Sequence, residues 1–446
     1  MKNFDDYTEQ LAKNFVVLDS EKRRALIVEQ AEKIASLKNC RLKPDEKLLE
    51  EVTGLVEWPE VMAGNIDKDF MHLPGESLST SMKAHQKYFS LLDKDGKLAP
   101  FFVVVSNIKA SDGGKEVIAG NERVLRARLS DAKFFFEQDT KQRLETRVKD
   151  LAGVTFHAKL GSYLDKTKRI TELAKYIAPN VKDVNVQDAE KAAILSKADL
   201  LSGMVGEFPE LQGIMGGYYA TSSGENSKVS TAIREHYYYP VTYNYDGTAT
   251  KNPTSLVVAI ADKTDSLVGL YSAGEKPTGS KDPFALRRAA LSIISMVVDN
   301  GIRLPLWSLL EKSQSLFPNN LHKQEVIKEL LDFFAERLKQ KMKETSIRHD
   351  FINAVFDGRD TDLYRLTSKI NSLDGFLKTE DGKSLLAGYR RAANIVSAEE
   401  KKDKTTYRGE PDEKLMKLEE EKKLYKSLSS SKAEINSNLE KKNSQR

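Results

Sequence analysis

The histidines and their acidic neighbours are the residues with the clearest capacity to bind a metal. Six histidines are spread over 446 residues, and they form no compact ligand pattern such as HExxH. The single cysteine, Cys40, excludes an internal disulfide and a cysteine-based zinc site. His157 lies at a predicted helix start, Asp199 follows a lysine and an alanine, and Asp262 is predicted to lie at the head of another helix. A metal site would therefore have to be assembled from residues far apart in the sequence.

The order of these three residues resembles the His…His-Asp…Asp ligand series of the HD-type metal phosphohydrolases. In that superfamily a second histidine precedes the first aspartate, whereas this chain has Ala198 there. Loss of an imidazole from a small coordination shell severely weakens a first-row metal site. The resemblance thus implies a degenerate set of His157, Asp199 and Asp262 on a helical scaffold that holds no metal. A working metal-dependent phosphohydrolase is the alternative.

Residues 276–288, Lys-Pro-Thr-Gly-Ser-Lys-Asp-Pro-Phe-Ala-Leu-Arg-Arg, have the composition of a phosphate-binding turn before a helix. Asp282 suits an N-cap and Pro283 suits the first helical position, so we predict that a helix starts there. Backbone N–H groups and the Lys281 ammonium would then lie at the helix N-terminus, a place that attracts phosphate. The Walker pattern is absent. The alternative is a capped loop that packs the helix, with its two arginines solvated or ion-paired.

Basic residues also recur at helical spacing within residues 121–136. Arg123 and Arg126 share one face of this predicted helix, while leucine and phenylalanine residues populate another face. A row of arginines can bind the phosphates of a nucleic acid. The alternative is an ordinary solvated helix, whose positive charges Glu122 and Asp131 would neutralise.

The sequence predicts no catalytic residue. His85 lies in a polar and aromatic string, but general acid–base chemistry would require a carboxylate partner that the sequence does not place. A structural or surface role is favoured for this histidine. The nucleophile elbow GxSxG and a Ser–His–Asp order are both absent.

The elements that position these residues divide the chain into four predicted segments. The fold class is mainly α and multidomain, with a small α/β region first. Within that region, Asp93-Lys-Asp-Gly separates two strand-like runs and predicts a hairpin over residues 88–106. The segments cover residues 1–112 (α/β), 113–318 (helical), 319–396 (helical) and 397–446 (a charged tail).

The tail is rich in Lys, Glu, Ser and Asn. Leu415, Leu418, Lys422 and Tyr425 form a narrow stripe typical of a marginal charged helix. We predict that the last stretch is disordered, because this composition buries too little apolar surface to fold.

Composition limits the class of protein. At roughly 150 residues per domain, 446 residues suggest about three domains. The 70 basic and 66 acidic residues give a net charge of +4, which is too mild to establish a nucleic-acid partner by itself. No stretch of apolar residues is long enough to span a membrane, and the start lacks the pattern of a secretory signal. A soluble, cytoplasmic protein is expected.

Several strings, in this order and spacing, resemble the β subunit of bacterial-type heterotetrameric glycyl-tRNA synthetase. They include Glu57-Trp-Pro, Lys83-Ala-His-Gln-Lys-Tyr-Phe, Gly120-Asn-Glu-Arg-Val-Leu-Arg-Ala-Arg-Leu, Phe156-His-Ala-Lys-Leu-Gly, Lys197-Ala-Asp-Leu, Met204-Val-Gly-Glu-Phe-Pro-Glu-Leu-Gln-Gly, the 276–288 string and Tyr389-Arg-Arg-Ala-Ala-Asn-Ile. The resemblance covers residues 1 to about 400. It implies that the N-terminal part of the family's chain and the end of its anticodon-binding domain are missing.

The resemblance also implies a function and a domain plan. The family enzyme is an α2β2 assembly that joins glycine to tRNA(Gly) with ATP and Mg²⁺, and its α subunit holds the catalytic site. The β subunit binds tRNA(Gly) and the α subunit, and needs no cofactor of its own. Residues 1–112 would be part of a B3/B4-type segment, 113–318 an HD-like helical domain, and 319–396 a partial anticodon-binding bundle. A truncated fragment that acts only as an adaptor is the alternative.

Charge within the resembling strings selects the candidate RNA-binding residues. They are Arg123, Arg126, Lys281, Arg287, Arg288, Arg390 and Arg391.

Overall fold

A computed structural model describes residues 3–237, 252–344, 360–407, 409 and 411–444. The chain divides into two compact units, Met1–Asn371 and Ser372–Arg446. Among these residues helices dominate, and the two small sheets are antiparallel, so the predicted mainly α fold class is confirmed. The boundaries of the four predicted segments stay predictions.

The first unit begins with a four-stranded antiparallel sheet whose strand order is β1-β3-β4-β2. Its elements are α1 (Phe4–Lys13), α2 (Ser20–Leu37), β1 (Arg41–Leu42), α3 (Glu46–Leu55), β2 (Glu60–Asn65), α4 (Gly75–Gln86), β3 (Phe89–Leu92) and β4 (Leu98–Ser106). Strands β3 and β4 form the predicted hairpin, which is confirmed. The Asp93 carboxylate holds its turn by accepting hydrogen bonds from the amides of Asp95 and Lys97.

Alternating side chains of the hairpin fill two separate cores, because successive residues of a strand point to opposite faces. Phe89 and Val103 pack with residues of α2 and α3 on one face of the sheet. Tyr88 and Phe102 pack on the other face, with residues of α4 and of the long helix Lys115–Thr140. The sheet therefore lies between two helical layers.

The rest of the first unit is a helical body around one large core. Its elements are α5 (Lys115–Thr140), β5 (Thr155–His157), β6 (Gly161–Ser162), α6 (Tyr163–Ile177), α7 (Val186–Leu195), α8 (Gly203–Glu207), α9 (Ile214–Ser222), α10 (Ser227–Glu235), α11 (Pro253–Ala273), α12 (Leu286–Asp299), α13 (Leu306–Gln314) and α14 (Gln324–Glu344). Helix α15 (Leu363–Leu377) follows and runs across the boundary between the units. Nearly every residue of α11 is buried, so this helix forms the centre of the body.

The predicted positions of two candidate ligands relative to their helices are wrong. Asp262 lies in the middle of α11, because Asn252 caps the helix and Pro253 occupies its first turn. His157 ends strand β5 and does not begin a helix, since α6 starts at Tyr163 behind a capping box formed by Ser162.

The second unit contains α16 (Glu380–Asp403) and α17 (Glu419–Ser444). Large apolar side chains on α16 are exposed: Leu385 is 61%, Tyr389 is 70% and Ile395 is 56% exposed. Helix α17 begins with Glu419, Glu420 and Glu421, whose negative charges interact favourably with the positive end of the helix dipole. Among the described residues, no helix has the length and apolar character that a membrane span requires.

Candidate functional site

A buried ion cluster lies where α6 packs on α11. Lys166 and Arg169 are three residues apart on α6, and Asp262 and Asp265 are three residues apart on α11, so each pair shares one helix face. The Lys166 Nζ lies 2.9 Å from Asp262 Oδ1 and 3.0 Å from Asp265 Oδ2. The Arg169 Nε lies 2.6 Å from Asp265 Oδ1. All four side chains are buried, which makes the pairing of their charges necessary for stability.

Lys197 is a third cation of the cluster. Its Nζ lies 2.7 Å from Asp262 Oδ2 and 2.9 Å from His236 Nε2. The ring centroid of Tyr237 is 3.9 Å from the same Nζ. His236 Nδ1 lies 2.7 Å from the carbonyl oxygen of Ile233 and donates its proton there. The Nε2 of the neutral imidazole therefore accepts a hydrogen bond from the Lys197 ammonium.

Burial and mutual attraction set the charges of this cluster. Burial lowers the pKa of Lys197 to about 8, and the Asp262 carboxylate opposes that shift. Burial alone would raise the pKa of Asp262, but the ammonium groups of Lys166 and Lys197 hold it well below its usual range. Burial, reinforced by Lys197, lowers the pKa of His236 well below its usual value. At neutral pH the centre thus contains charged lysines, a charged carboxylate and a neutral imidazole.

Asp199 is fully buried and is bound by the backbone. Its Oδ2 accepts hydrogen bonds from the amides of Gly213 and Gly216, at 2.5 and 3.0 Å. Gly213 has a φ of +80°, a conformation that favours glycine, and a Cβ on Gly216 would lie 3.0 Å from Asp199 Oδ2. Burial raises the pKa of Asp199 to about 6, although these two amides lower it. This carboxylate therefore holds the N-terminus of α9.

The predicted ligand set does not fit a metal. Its first member, His157, lies beside Glu275, with 3.6 Å between Nε2 and Oε1. The backbone amides occupy one oxygen of Asp199, and lysines occupy both oxygens of Asp262. The side chain of Ala198 is buried and offers no donor atom. Within residues 3–237, 252–344 and the described part beyond 360, no group of three His, Cys, Asp or Glu residues is placed to hold a metal.

The helix start predicted in the 276–288 string is wrong. Helix α12 begins at Leu286, because Ala285 adopts a left-handed conformation with a φ of +54° just before it. The Asp282 carboxylate still caps the helix, but it accepts hydrogen bonds from the amides of Leu286 and Arg287, at 2.8 and 2.9 Å. The first two amides of α12 are therefore bound by a carboxylate of the chain itself. Of the amides of residues 279–281 that were expected to attract phosphate, that of Lys281 donates to the carbonyl of Thr278.

The three candidate RNA-binding cations of this string, Lys281, Arg287 and Arg288, have different environments. The Arg287 guanidinium donates a hydrogen bond to the carbonyl of Gly279 at 2.7 Å, so it holds the loop closed. Lys281 pairs through its backbone with Thr278, and its side chain is exposed. Arg288 is exposed as well. Lys281 and Arg288 can therefore meet a phosphate without breaking the loop.

The two candidate arginines of α5 also differ. Arg123 is exposed. Arg126 binds both carboxylate oxygens of Asp67, with Nε–Oδ2 and Nη2–Oδ1 distances of 2.6 and 3.2 Å. Glu122 accepts hydrogen bonds from Asn65, and its carboxylate adds to the attraction by which Asp67 raises the pKa of Arg126. An incoming phosphate would compete with Asp67 for Arg126.

The last two candidates, Arg390 and Arg391, lie on α16 in the second unit, and both are exposed. His85 has an acidic neighbour that the sequence does not place, since its Nε2 lies 3.8 Å from Glu207 Oε1. Its ring also contacts Phe208 edge-on. The structural or surface role favoured for His85 stays a prediction.

Comparison with known proteins places the chain. A sequence profile described as glycyl-tRNA synthetase beta subunit matches residues 1–357. The chain belongs to the glycyl-tRNA synthetase beta subunit family. It is 49% identical over 408 residues to the glycine--tRNA ligase beta subunit of Phenylobacterium zucineum, an alignment that covers 90% of this chain and 58% of the relative.

Two further relatives carry the same name. That of Rhodospirillum centenum is 48% identical over 410 residues, which are 91% of this chain and 57% of the relative. That of a Ruegeria species is 42% identical over 445 residues, which are 98% of this chain and 63% of the relative. The chain therefore spans about three fifths of the length of these relatives.

In this member of the glycyl-tRNA synthetase beta subunit family, analysis of sequence motifs does not identify most residues of the buried ion cluster. The overlooked residues are Lys166, Arg169, Lys197, His236 and Asp265. A usable signal exists on α6, where Lys166 continues the apolar row of Ile170, Leu173 and Ile177. A charge within a buried stripe requires a partner of opposite charge, so it marks an ion cluster.

Proposed function

We propose that this chain acts as the β subunit of a glycine–tRNA ligase. In this proposal it binds tRNA(Gly) and the catalytic α subunit in an α2β2 assembly in the cytoplasm. The α subunit joins glycine to the tRNA with ATP and Mg²⁺, and this chain contributes no residue to bond making. The observation that carries the proposal is the family match over residues 1–357, together with 42–49% identity to relatives of that name.

Exposed cations support a role in tRNA binding. Arg123, Lys281, Arg288, Arg390 and Arg391 are exposed on their helices or loops and can neutralise phosphates. Arg126 and Arg287 already bind groups of the chain, so we assign them a smaller share of the contact.

The two alternative functions are a metal phosphohydrolase and an adaptor that binds the α subunit but not tRNA. The metal phosphohydrolase is disfavoured because lysines bind both oxygens of Asp262 and His157 lies beside Glu275. The adaptor that binds α without tRNA requires that the exposed cations make no RNA contact. A mobility shift with tRNA(Gly), compared with an unrelated tRNA, distinguishes the adaptor from the β subunit.

The decisive experiment is glycylation of tRNA(Gly) by the cognate α subunit, with and without this chain. We expect the chain to raise the rate above that of α alone. Heat-denatured chain serves as the control for non-specific protein effects. An unchanged rate, with α and chain shown to associate, would support the adaptor instead.

A further inference from the structure

The structure contains a buried centre whose donors are those of a transition-metal site but whose cation is a lysine. A carboxylate oxygen of Asp262 and the Nε2 lone pair of neutral His236 both point at the Lys197 Nζ. Imidazole nitrogen and carboxylate oxygen are ordinary ligands of first-row divalent metals. An ammonium is positively charged and donates hydrogen bonds, so it can bind the same carboxylate oxygen and imidazole nitrogen.

We infer that the Lys197 ammonium is a tethered cation that takes the place of an exchangeable metal ion in this centre. It joins α11, which carries Asp262, to the end of α10, which His236 follows. A metal ion would do the same from outside the chain, with ligand distances about 0.7 Å shorter than those seen here.

Burial excludes solvent from this cation and its partners. Lys197 is 1% exposed and His236 is fully buried, so solvent cannot replace either partner. The ring of Tyr237, with its centroid 3.9 Å from Nζ, provides further attraction for a positive charge. Lys166 binds the other oxygen of Asp262, so that the carboxylate spans two ammonium groups.

The same geometry predicts what removal of the ammonium would expose. Asp262 Oδ2 and His236 Nε2 would lose their shared donor. Asp199 Oδ1 is also buried without a hydrogen-bond partner among the described residues, and the charges of Asp199 and Lys197 attract each other. A small cation in the position of Nζ would meet the imidazole of His236 and the carboxylate of Asp262.

The test compares two variants of the full chain by thermal unfolding. Lys197→Met keeps most of the side-chain volume without the charge, and it should lower Tm by roughly 5–10 °C because a buried carboxylate loses its partner. Lys197→Ala should be rescued by n-propylammonium or by Co²⁺, each of which supplies a cation. The neutral isostere 1-propanol should give no rescue.

Controls locate the effect. Chelation should leave the Tm of the wild-type chain unchanged. Co²⁺ should raise the Tm of wild type no more than it raises the Tm of Lys197→Met. In Lys197→Ala/His236→Ala the rescue by Co²⁺ should disappear, which separates this centre from metal binding at exposed histidines. The visible absorption of Co²⁺ reports a bound, partly dehydrated ion in Lys197→Ala directly.

Three results would overturn the inference. They are a wild-type Tm that falls on chelation, a Lys197→Met variant as stable as wild type, and a Lys197→Ala variant that neither cation stabilises. If Lys197→Ala does not fold alone, it is refolded with each cation. Recovery of a cooperative transition supports the inference, and failure with both cations contradicts it.

Discussion

The charge of Asp265 is fully enclosed by protein and depends on two partners, Lys166 and Arg169. A buried ion pair broken from one side leaves an uncompensated charge, which costs about 3–5 kcal/mol. We therefore expect Asp265→Asn to lower the free energy of unfolding by about that amount. Chemical denaturation of the full chain measures it.

A matched exposed pair provides the control. Asp67 binds Arg126 with similar geometry but at the surface, where such pairs contribute about 0–1 kcal/mol. Asp67→Asn should therefore cost less than about 1 kcal/mol. Equal losses in the two variants would show that burial does not govern the strength of the α6–α11 cluster.

The carboxylate of Asp360 makes the stability of the fold depend on pH. Burial would raise its pKa, but hydrogen bonds from Arg365 and Lys369 outweigh burial and lower the pKa to about 2. Since the folded pKa lies below the ordinary value of 3.8 for an aspartate, this carboxylate stabilises the fold above about pH 4. That contribution is lost as the pH falls through about 2.

The variant Asp360→Asn should therefore have a lower Tm than wild type at pH 7, and the difference should narrow between pH 4 and 2. Thermal unfolding of both proteins across this range checks the sign. A difference that widened on acidification would contradict the assigned shift.

At the scale of elements, α12 depends on a cap that comes from outside the helix. Asp282 binds the amides of Leu286 and Arg287, so Asp282→Ala should cost about 0.5–2 kcal/mol of stability. Ser280→Ala, a change on the exposed part of the same loop, is the control and should be nearly neutral. A neutral result for Asp282→Ala would mean that the loop holds α12 without this cap.

This helix also shows what local sequence can and cannot predict. Asp282 is recognisable as a cap from its residue type, but the left-handed Ala285 that delays the helix has no sequence signal of comparable strength. The hairpin over residues 88–106 is predictable, because strand alternation and a turn motif are local.

The buried cluster is less accessible to such reasoning. Lys166 and Asp265 are 99 residues apart, so no spacing rule joins them, and only the packing of α6 on α11 does. For the same reason the sequence offers His157 as a ligand, whereas the fold places His236 at the centre.

In the whole molecule, the cations proposed to contact tRNA belong to both compact units. Lys281 and Arg288 lie in Met1–Asn371, and Arg390 and Arg391 lie in Ser372–Arg446. If both units contact tRNA, the loss of affinity should be distributed between them. A family match that covers residues 1–357 does not by itself decide this division.

The salt dependence of tRNA binding shows whether one unit or both units contact the RNA. Each phosphate contact contributes about 0.7–0.9 to the slope of log affinity against log salt concentration. Lys281→Gln/Arg288→Gln and Arg390→Gln/Arg391→Gln should each weaken tRNA(Gly) binding and reduce that slope by roughly 1–2. Lys94→Gln, which removes one exposed charge from the β3–β4 turn, should leave the slope unchanged. Mobility shifts at several salt concentrations measure the slopes of all three variants.

A slope altered equally by Lys94→Gln would mean that net charge, and not these two surfaces, attracts the RNA. A slope altered by only one double variant would confine the RNA contact to that unit.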